Sequence, residues 1–271
     1  AATVLIERYT RVVLAQPGSP FPLQRLAQLY RERDGNIVAL VKDFEARAAA
    51  SGDAQYASLV SLGGVYKIDG RTDDAVKAYE RSIGLKSTDP VAILALARLH
   101  QDRADLAAAR TRYEQALALQ TVPQDREQTL RTLMTLALDT KDWTAAKGFH
   151  DKLVAMGKAS LFVKGELGRE LFSRGEYVRA ESEFKDLVNA AQGDNRALGP
   201  ALKELGRAQA KAGKNPEALA TLKRALGASG SEAAVRTEIY EIIAEVYRKD
   251  QKLPMLIKDL ENEHPSDFQR L

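Results

Sequence analysis

Residues 62–83 read LGGVYKIDGRTDDAVKAYERSI, and the same spacing of residue types returns further along the chain. Leu62, Gly63, Tyr66, Gly70, Ala75 and Tyr79 are echoed 34 residues later by Leu96, Ala97, His100, Ala104, Ala109 and Tyr113. A fixed period of ~20–50 residues marks units that cannot bury their apolar faces alone and must stack on neighbours. The leucine column runs Leu62, Leu96, Leu133, Leu167, Leu205 and Ile243, in steps of 34, 37, 34, 38 and 38. An alanine column, Ala75, Ala109, Ala146, Ala180, Ala218 and Leu256, shifts by the same steps, so every insertion falls between units. An earlier copy around Leu26, Ala27 and Tyr30, with Gly35 one residue late, brings the number of units to seven.

Each unit reads as two helices. Ala75, Tyr79, Ser82 and Ile83 recur at i, i+4, i+7 and i+8, which places them on one helical stripe, and Leu62 and Tyr66 do the same in the first half. Glycine between the halves, at Gly70, Gly175 and Gly213, supplies the positive φ of a helix end. Asn215-Pro216 reads as an N-cap followed by proline at the first helical position, and Leu253-Pro254 as another helix start. No alternating β-branched run occurs, so the chain is expected to be all helical. Gly63, Gly168 and Gly206, with Ala97 and Ala244, are small where two helix backbones are expected to approach, and a larger residue there would overpack at ~1–3 kcal/mol.

These residues resemble a tetratricopeptide repeat array. The likeness rests on Leu62-Gly63-x-x-Tyr66 followed by Gly70, Ala75 and Tyr79, and on Gly175-Glu176-Tyr177 with Ala180 and Phe184. The aromatic residue usual near each first-helix start is absent, and Ala104 and Lys141 stand where the turn glycine belongs. The resemblance implies a right-handed superhelix of antiparallel helix pairs, an α-solenoid whose first helices line a concave groove that holds another protein. The lysine and asparagine clamp with which some members hold a terminal carboxylate is missing in matching form.

On this reading residues 18–264 form the stack. Residues 1–17 are expected to be the second helix of a leading repeat, and residues 265–271 the start of a further one. The expectation that the chain is a segment of a longer array rests on Pro265 to Leu271, which matches Pro20 to Leu26 at Pro, Gln, Arg and Leu.

Composition narrows the function classes. Forty basic and 37 acidic residues leave a net charge of +3, with no basic run of five or more, so nucleic acid is not an expected partner. The longest apolar run, residues 91–97, is far short of the ~20 residues of a membrane span. The absence of cysteine excludes disulfides and thiol catalysis and leaves the compartment open. His100 and His150 occupy columns otherwise filled by aromatic or leucine side chains, which reads as packing, and His264 precedes Pro265 at a helix end. No metal-ligand spacing or phosphate loop is present, and Gly227-Ala228-Ser229-Gly230 reads as a connector. Asp73-Asp74 suits a helix start, where the dipole favours carboxylates. Neither enzymatic activity nor a cofactor is expected.

At ~100° per residue, positions two before, two after and five after the leucine column face away from the helix partner. They carry Val60, Gly64 and Lys67; Leu94, Arg98 and Gln101; Arg131, Thr135 and Leu138; Gly165, Arg169 and Phe172; and Lys203, Arg207 and Ala210. Arg98, Arg131 and Arg169 are candidates to receive carboxylates of an acidic partner segment, because a guanidinium pairs two oxygens at once. Leu94, Leu138 and Phe172 are candidate apolar contacts. The competing reading pairs these arginines internally, with Asp102, Asp139 and Glu166 as partners, and assigns Glu241 and Glu245 to neutralise Lys203 and Arg207. The expected function is a noncatalytic protein-interaction scaffold acting as a monomer; the alternative is a structural or self-associating spacer in a longer protein.

Overall fold

A computed structural model describes residues 2–157, 160–230, 232–249 and 251–263. His264 and residues 265–271 lie outside the described residues, and with them the expectation of a further repeat. Among the described residues the chain is helical throughout, without strands. It divides into two compact units, residues 1–149 and 150–271, with the division inside a helix and no linker at that point.

The first unit opens with α1 (Ala2–Ala15), followed by the pairs α2 (Pro20–Asp34) and α3 (Val38–Ala49), α4 (Gln55–Ile68) and α5 (Thr72–Leu85), and α6 (Pro90–Asp102) and α7 (Leu106–Leu119). Then come α8 (Pro123–Asp139) and the first part of α9 (Trp143–Ala155). Each second helix packs on its own first helix and on the next one, while α2 touches α4 and α4 touches α6. The first helices therefore form one layer and the second helices another. α1 packs against α2 and α4, burying Ile6 and Val13 in a core that includes Leu26, Leu40, Phe44, Leu59 and Leu62.

The second unit contains α10 (Leu161–Lys164) and α11 (Glu166–Ser173), which are two pieces of one first helix broken at Gly165. They are followed by α12 (Tyr177–Ala190), the pair α13 (Asn195–Lys211) and α14 (Asn215–Ala228), and α15 (Ala233–Lys249) with α16 (Leu253–Glu263). α13 touches α15, so first helices again share a layer. Both sequence columns are buried along their whole length.

The helix starts differ in detail from the sequence reading. The N-cap of α14 is Lys214 rather than Asn215, and Gly227 and Ala228 belong to α14 rather than to a connector. Ser229 is buried with its hydroxyl donating to the Ala225 carbonyl at 2.7 Å, and Gly199 lies against it because a Cβ there would come within 2.5 Å of that hydroxyl. The expected acidic start is present in α5, whose first turn holds Asp73 and Asp74.

Among the described residues one turn geometry joins first to second helix six times. The N–H of Arg71 bonds the Tyr66 carbonyl at 2.9 Å and that of Gly70 bonds Lys67 at 3.2 Å. This is the paired closure that satisfies two orphan carbonyls at a helix C-terminus. The same pair recurs at Asp105 and Ala104, Asp142 and Lys141, Glu176 and Gly175, Lys214 and Gly213, and Lys252 and Gln251. The residue at the left-handed position is glycine in three copies, with φ of 78° to 80°, and Ala104, Lys141 or Gln251 in the others, with φ of 57° or 58°. A side chain in that region costs ~1 kcal/mol or more, so the repeat imposes the turn even where the residue resists it. Ala104→Gly is expected to stabilise the chain by about 1 kcal/mol, read as a higher urea midpoint.

The small-residue column has a more specific cause than backbone approach. A Cβ on Gly63 would lie 2.5 Å from a ring carbon of Tyr79, one on Gly168 2.7 Å from Phe184, and one on Gly206 2.7 Å from Leu222. In each case the large side chain sixteen residues later, on the second helix, is seated directly on the glycine.

Glu181 on α12 ties the second unit together. It is 3% exposed and its carboxylate accepts from Lys185 at 2.8 Å and from Lys214, in the turn between α13 and α14, at 2.7 Å. Burial alone pushes this carboxyl up, but hydrogen bonds from the two ammonium groups and Gln209 outweigh it and hold it below the usual range. With its folded value depressed, the group contributes stability that is complete above the unfolded carboxylate value of about 4.3 and is lost as pH falls through the folded value. Glu181→Gln is therefore expected to lower the urea midpoint more at pH 7 than at pH 3. Equal losses at both would contradict this assignment.

Candidate functional site

The outward positions of the first helices converge in the first unit. Val60, Gly64 and Lys67 from α4 and Arg98 from α6 line one cleft of about 250 Å³, together with Leu23 and Gln24 of α2, Ala95, Ile68 and Tyr79. The cleft exists because α2, α4 and α6 lie side by side in one layer and α4 carries no side chain at position 64. Its walls are mainly aliphatic and its charged groups, Lys67 and Arg98, are both cations.

The two cations differ. Lys67 is exposed and pairs with Asp102 at 2.5 Å, one repeat along. Arg98 is exposed and makes no ion pair among the described residues; Asp102, a carboxylate that the sequence placed near it, is taken by Lys67. Arg98 instead faces two tyrosines. Burial pushes the hydroxyls of Tyr79 and Tyr113 up, and the guanidinium pulls each of them back. The Tyr113 hydroxyl donates to Gln101 Oε1 at 2.9 Å, which orients the amide beside the arginine.

Other candidates in the first unit sit differently. Leu94 is half-buried, and its neighbour Ala95 rather than Leu94 forms the cleft wall. Arg131 is half-buried with Nη1 2.5 Å from Glu127 Oε1 on the same helix. Leu138 is 2% exposed, so it is core and offers nothing to a partner; the helical projection counts only what one pair buries and omits what packs on the pair.

In the second unit the basic face is largely internal. Arg169 lies over the exposed Phe162 ring at 4.4 Å and donates to the Phe162 carbonyl. Both residues border a cleft of about 210 Å³ with Leu161, Leu187, Pro200 and Glu204. Arg207 stacks on Phe172 at 4.3 Å and pairs with Glu204 at 2.8 Å, while Phe172 meets Tyr177 edge-on at 5.2 Å. Lys203 pairs with Glu238, and Glu245 is taken by Lys211 at 2.6 Å. The neutralising residues are thus Glu238 and Glu204, not Glu241 and Glu245, because a long side chain reaches about one turn to either side of its own position. Of the described histidines, His150 is 3% exposed with Nε2 2.9 Å from the Val163 carbonyl, and His100 is half-buried and lies 3.4 Å from Asp105.

Sequence reasoning missed Leu23, Gln24 and Tyr79 as cleft residues. Gln24 stands two before Leu26, so extending the projection to the first repeat finds it. Leu23 has no such signal, since its place depends on the missing side chain at Gly64.

No protein-family model and no curated protein sequence matches the chain. Among solved structures, it is similar to a tetratricopeptide repeat protein from Parabacteroides merdae, at 16% identity and a TM-score of 0.47 over 93% of this chain and 96% of that one. It is also similar to MamA, at 19% identity and a TM-score of 0.43, over 66% of this chain and 94% of that one. A third is YrrB, described as a tetratricopeptide repeat protein with an unusual peptide-binding site, at 15% identity and a TM-score of 0.42, over 75% of this chain and 98% of that one.

Proposed function

We propose that this chain is a noncatalytic scaffold whose first-helix layer holds an acidic segment of another protein, with Arg98 as the principal charge contact. The observation that carries this reading is the cleft between α2, α4 and α6. It gathers aliphatic walls from three successive repeats and places beside them an arginine with no ion pair among the described residues. Arginine is suited to the part, because its fork can take a carboxylate with two parallel hydrogen bonds. The other basic candidates support the same face more weakly, since Arg131, Lys203 and Arg207 already have carboxylate neighbours.

The test compares three single variants against a partner isolated by affinity capture. Arg98→Glu is expected to weaken the complex most, and Arg131→Glu and Arg169→Glu less. Unchanged affinity in all three would place the interface elsewhere. For the described residues, no helix is long and apolar enough to cross a membrane.

A further inference from the structure

We infer that the α2–α4–α6 cleft is a pocket for one large apolar side chain of the partner, immediately followed in the partner by an acidic residue, and that Gly64 sets this selectivity. The inference rests on the reading above and narrows the partner to a sequence class: an internal segment in which leucine, methionine or phenylalanine precedes aspartate or glutamate.

Pockets for drug-sized ligands run to about 300–1,000 Å³; at about 250 Å³ this cleft falls just short of them and has room for a large apolar side chain with part of the backbone that carries it. Its floor and walls are Leu23, Val60, Ile68 and Ala95, and no carboxylate lines it. An apolar group is the occupant that gains by displacing water from such walls. Arg98 at the rim, where Lys67 is already paired with Asp102, then fixes what stands next to that group in the partner, because its guanidinium selects an anion.

Gly64 is the residue that keeps the pocket open. It lies inside α4 with ordinary helical backbone, where glycine is less favourable than alanine by ~1 kcal/mol, so the backbone does not call for it. Its neighbour Gly63 is explained by the Tyr79 ring seated on it; Gly64 is not, because a Cβ there would lie 3.7 Å from the Tyr79 hydroxyl, an ordinary contact. The same Cβ would come within 2.3 Å of Leu23 Cδ2. That methyl is the free end of a flexible side chain and can rotate away, and the open space beside it is the cleft. Alanine at 64 therefore pushes Leu23 into the pocket at little cost to the fold. Ala95→Leu narrows it from the opposite wall.

The probes are three blocked hexapeptides, Ac-Gly-Gly-Leu-Asp-Gly-Gly-NH₂, the same peptide with alanine for leucine and the same with asparagine for aspartate, together with the tripeptide Ac-Gly-Gly-Leu carrying a free carboxylate. Amide shifts of the isotope-labelled chain are followed by NMR titration. The expected result is saturable shifts at residues 60–68 and 95–98, with affinity falling about tenfold or more for the alanine peptide and several-fold for the asparagine peptide. Gly64→Ala and Ala95→Leu, each with an unchanged thermal midpoint or a higher one, are expected to bind the leucine and alanine peptides alike. Equal affinity of the unaltered chain for those two peptides overturns the inference, as does the absence of saturable shifts at millimolar peptide. Tighter binding of the free-carboxylate peptide also overturns it, because the occupant would then be a chain end. If these fail while Arg98→Glu still weakens the captured partner, the interface stands and only the side-chain pocket is lost.

Discussion

Gly168→Val is expected to destabilise the second unit by about 3 kcal/mol, the upper end for an overpacked core. The Cβ would sit 2.7 Å from a ring carbon of Phe184, and that ring is fully buried. Unlike the methyl facing Gly64, it has nowhere to turn. A compensating variant separates this cause from a general intolerance at position 168: Phe184→Leu, which alone removes core volume and lowers stability, should cost markedly less in the Gly168→Val background. Urea unfolding of the four proteins of the cycle measures the coupling. Strict additivity would show that the ring does not rest on the glycine.

The second large effect is on binding. Arg98→Glu should weaken the complex with an acidic partner about thirtyfold or more, because it both removes the charge contact and sets a carboxylate against the partner's own. The fold should change little, since Arg98 is exposed and has no ion pair among the described residues to lose; it gives up a hydrogen bond with the Tyr113 hydroxyl, which keeps Gln101 as a partner. Lys77→Glu on the second-helix layer is the matching control. Its side chain is 73% exposed, and its salt bridge with Asp74, at 3.7 Å, is long and open to water, so the change alters net charge equally without touching the cleft. Affinity should also fall with salt for the unaltered chain and much less for Arg98→Glu.

Much of this architecture is legible in the sequence because a repeat states its constraint several times over. The leucine and alanine columns shift together, and every column member lies buried as that implies. The turns were legible for the same reason, down to Ala104 and Lys141, which break the local rule and yet adopt the left-handed backbone that glycine takes in the other copies. A column also located Val60, Gly64, Lys67 and Arg98, which the fold brings together.

What was not legible depends on contacts that spacing cannot encode. Leu138 projects outward from its helix pair and is nevertheless buried. Lys203 sits opposite Glu241 by column but reaches Glu238, because flexible side chains choose partners by reach and exposure rather than by register. The break at Gly165 divides a first helix that the period draws as continuous. The floor of the cleft comes from Leu23, whose role follows from an atom that Gly64 lacks.

On the proposed function, the partner is taken by the first-helix layer of the first unit, around Gly64 and Arg98. Hydrogen–deuterium exchange of the chain, alone and saturated with its isolated partner, measures this most directly. Added protection is expected at residues 18–24, 60–68 and 94–101, with α5 and α7 unchanged. Protection on α5 and α7 with the α4 and α6 segments unaffected would contradict it.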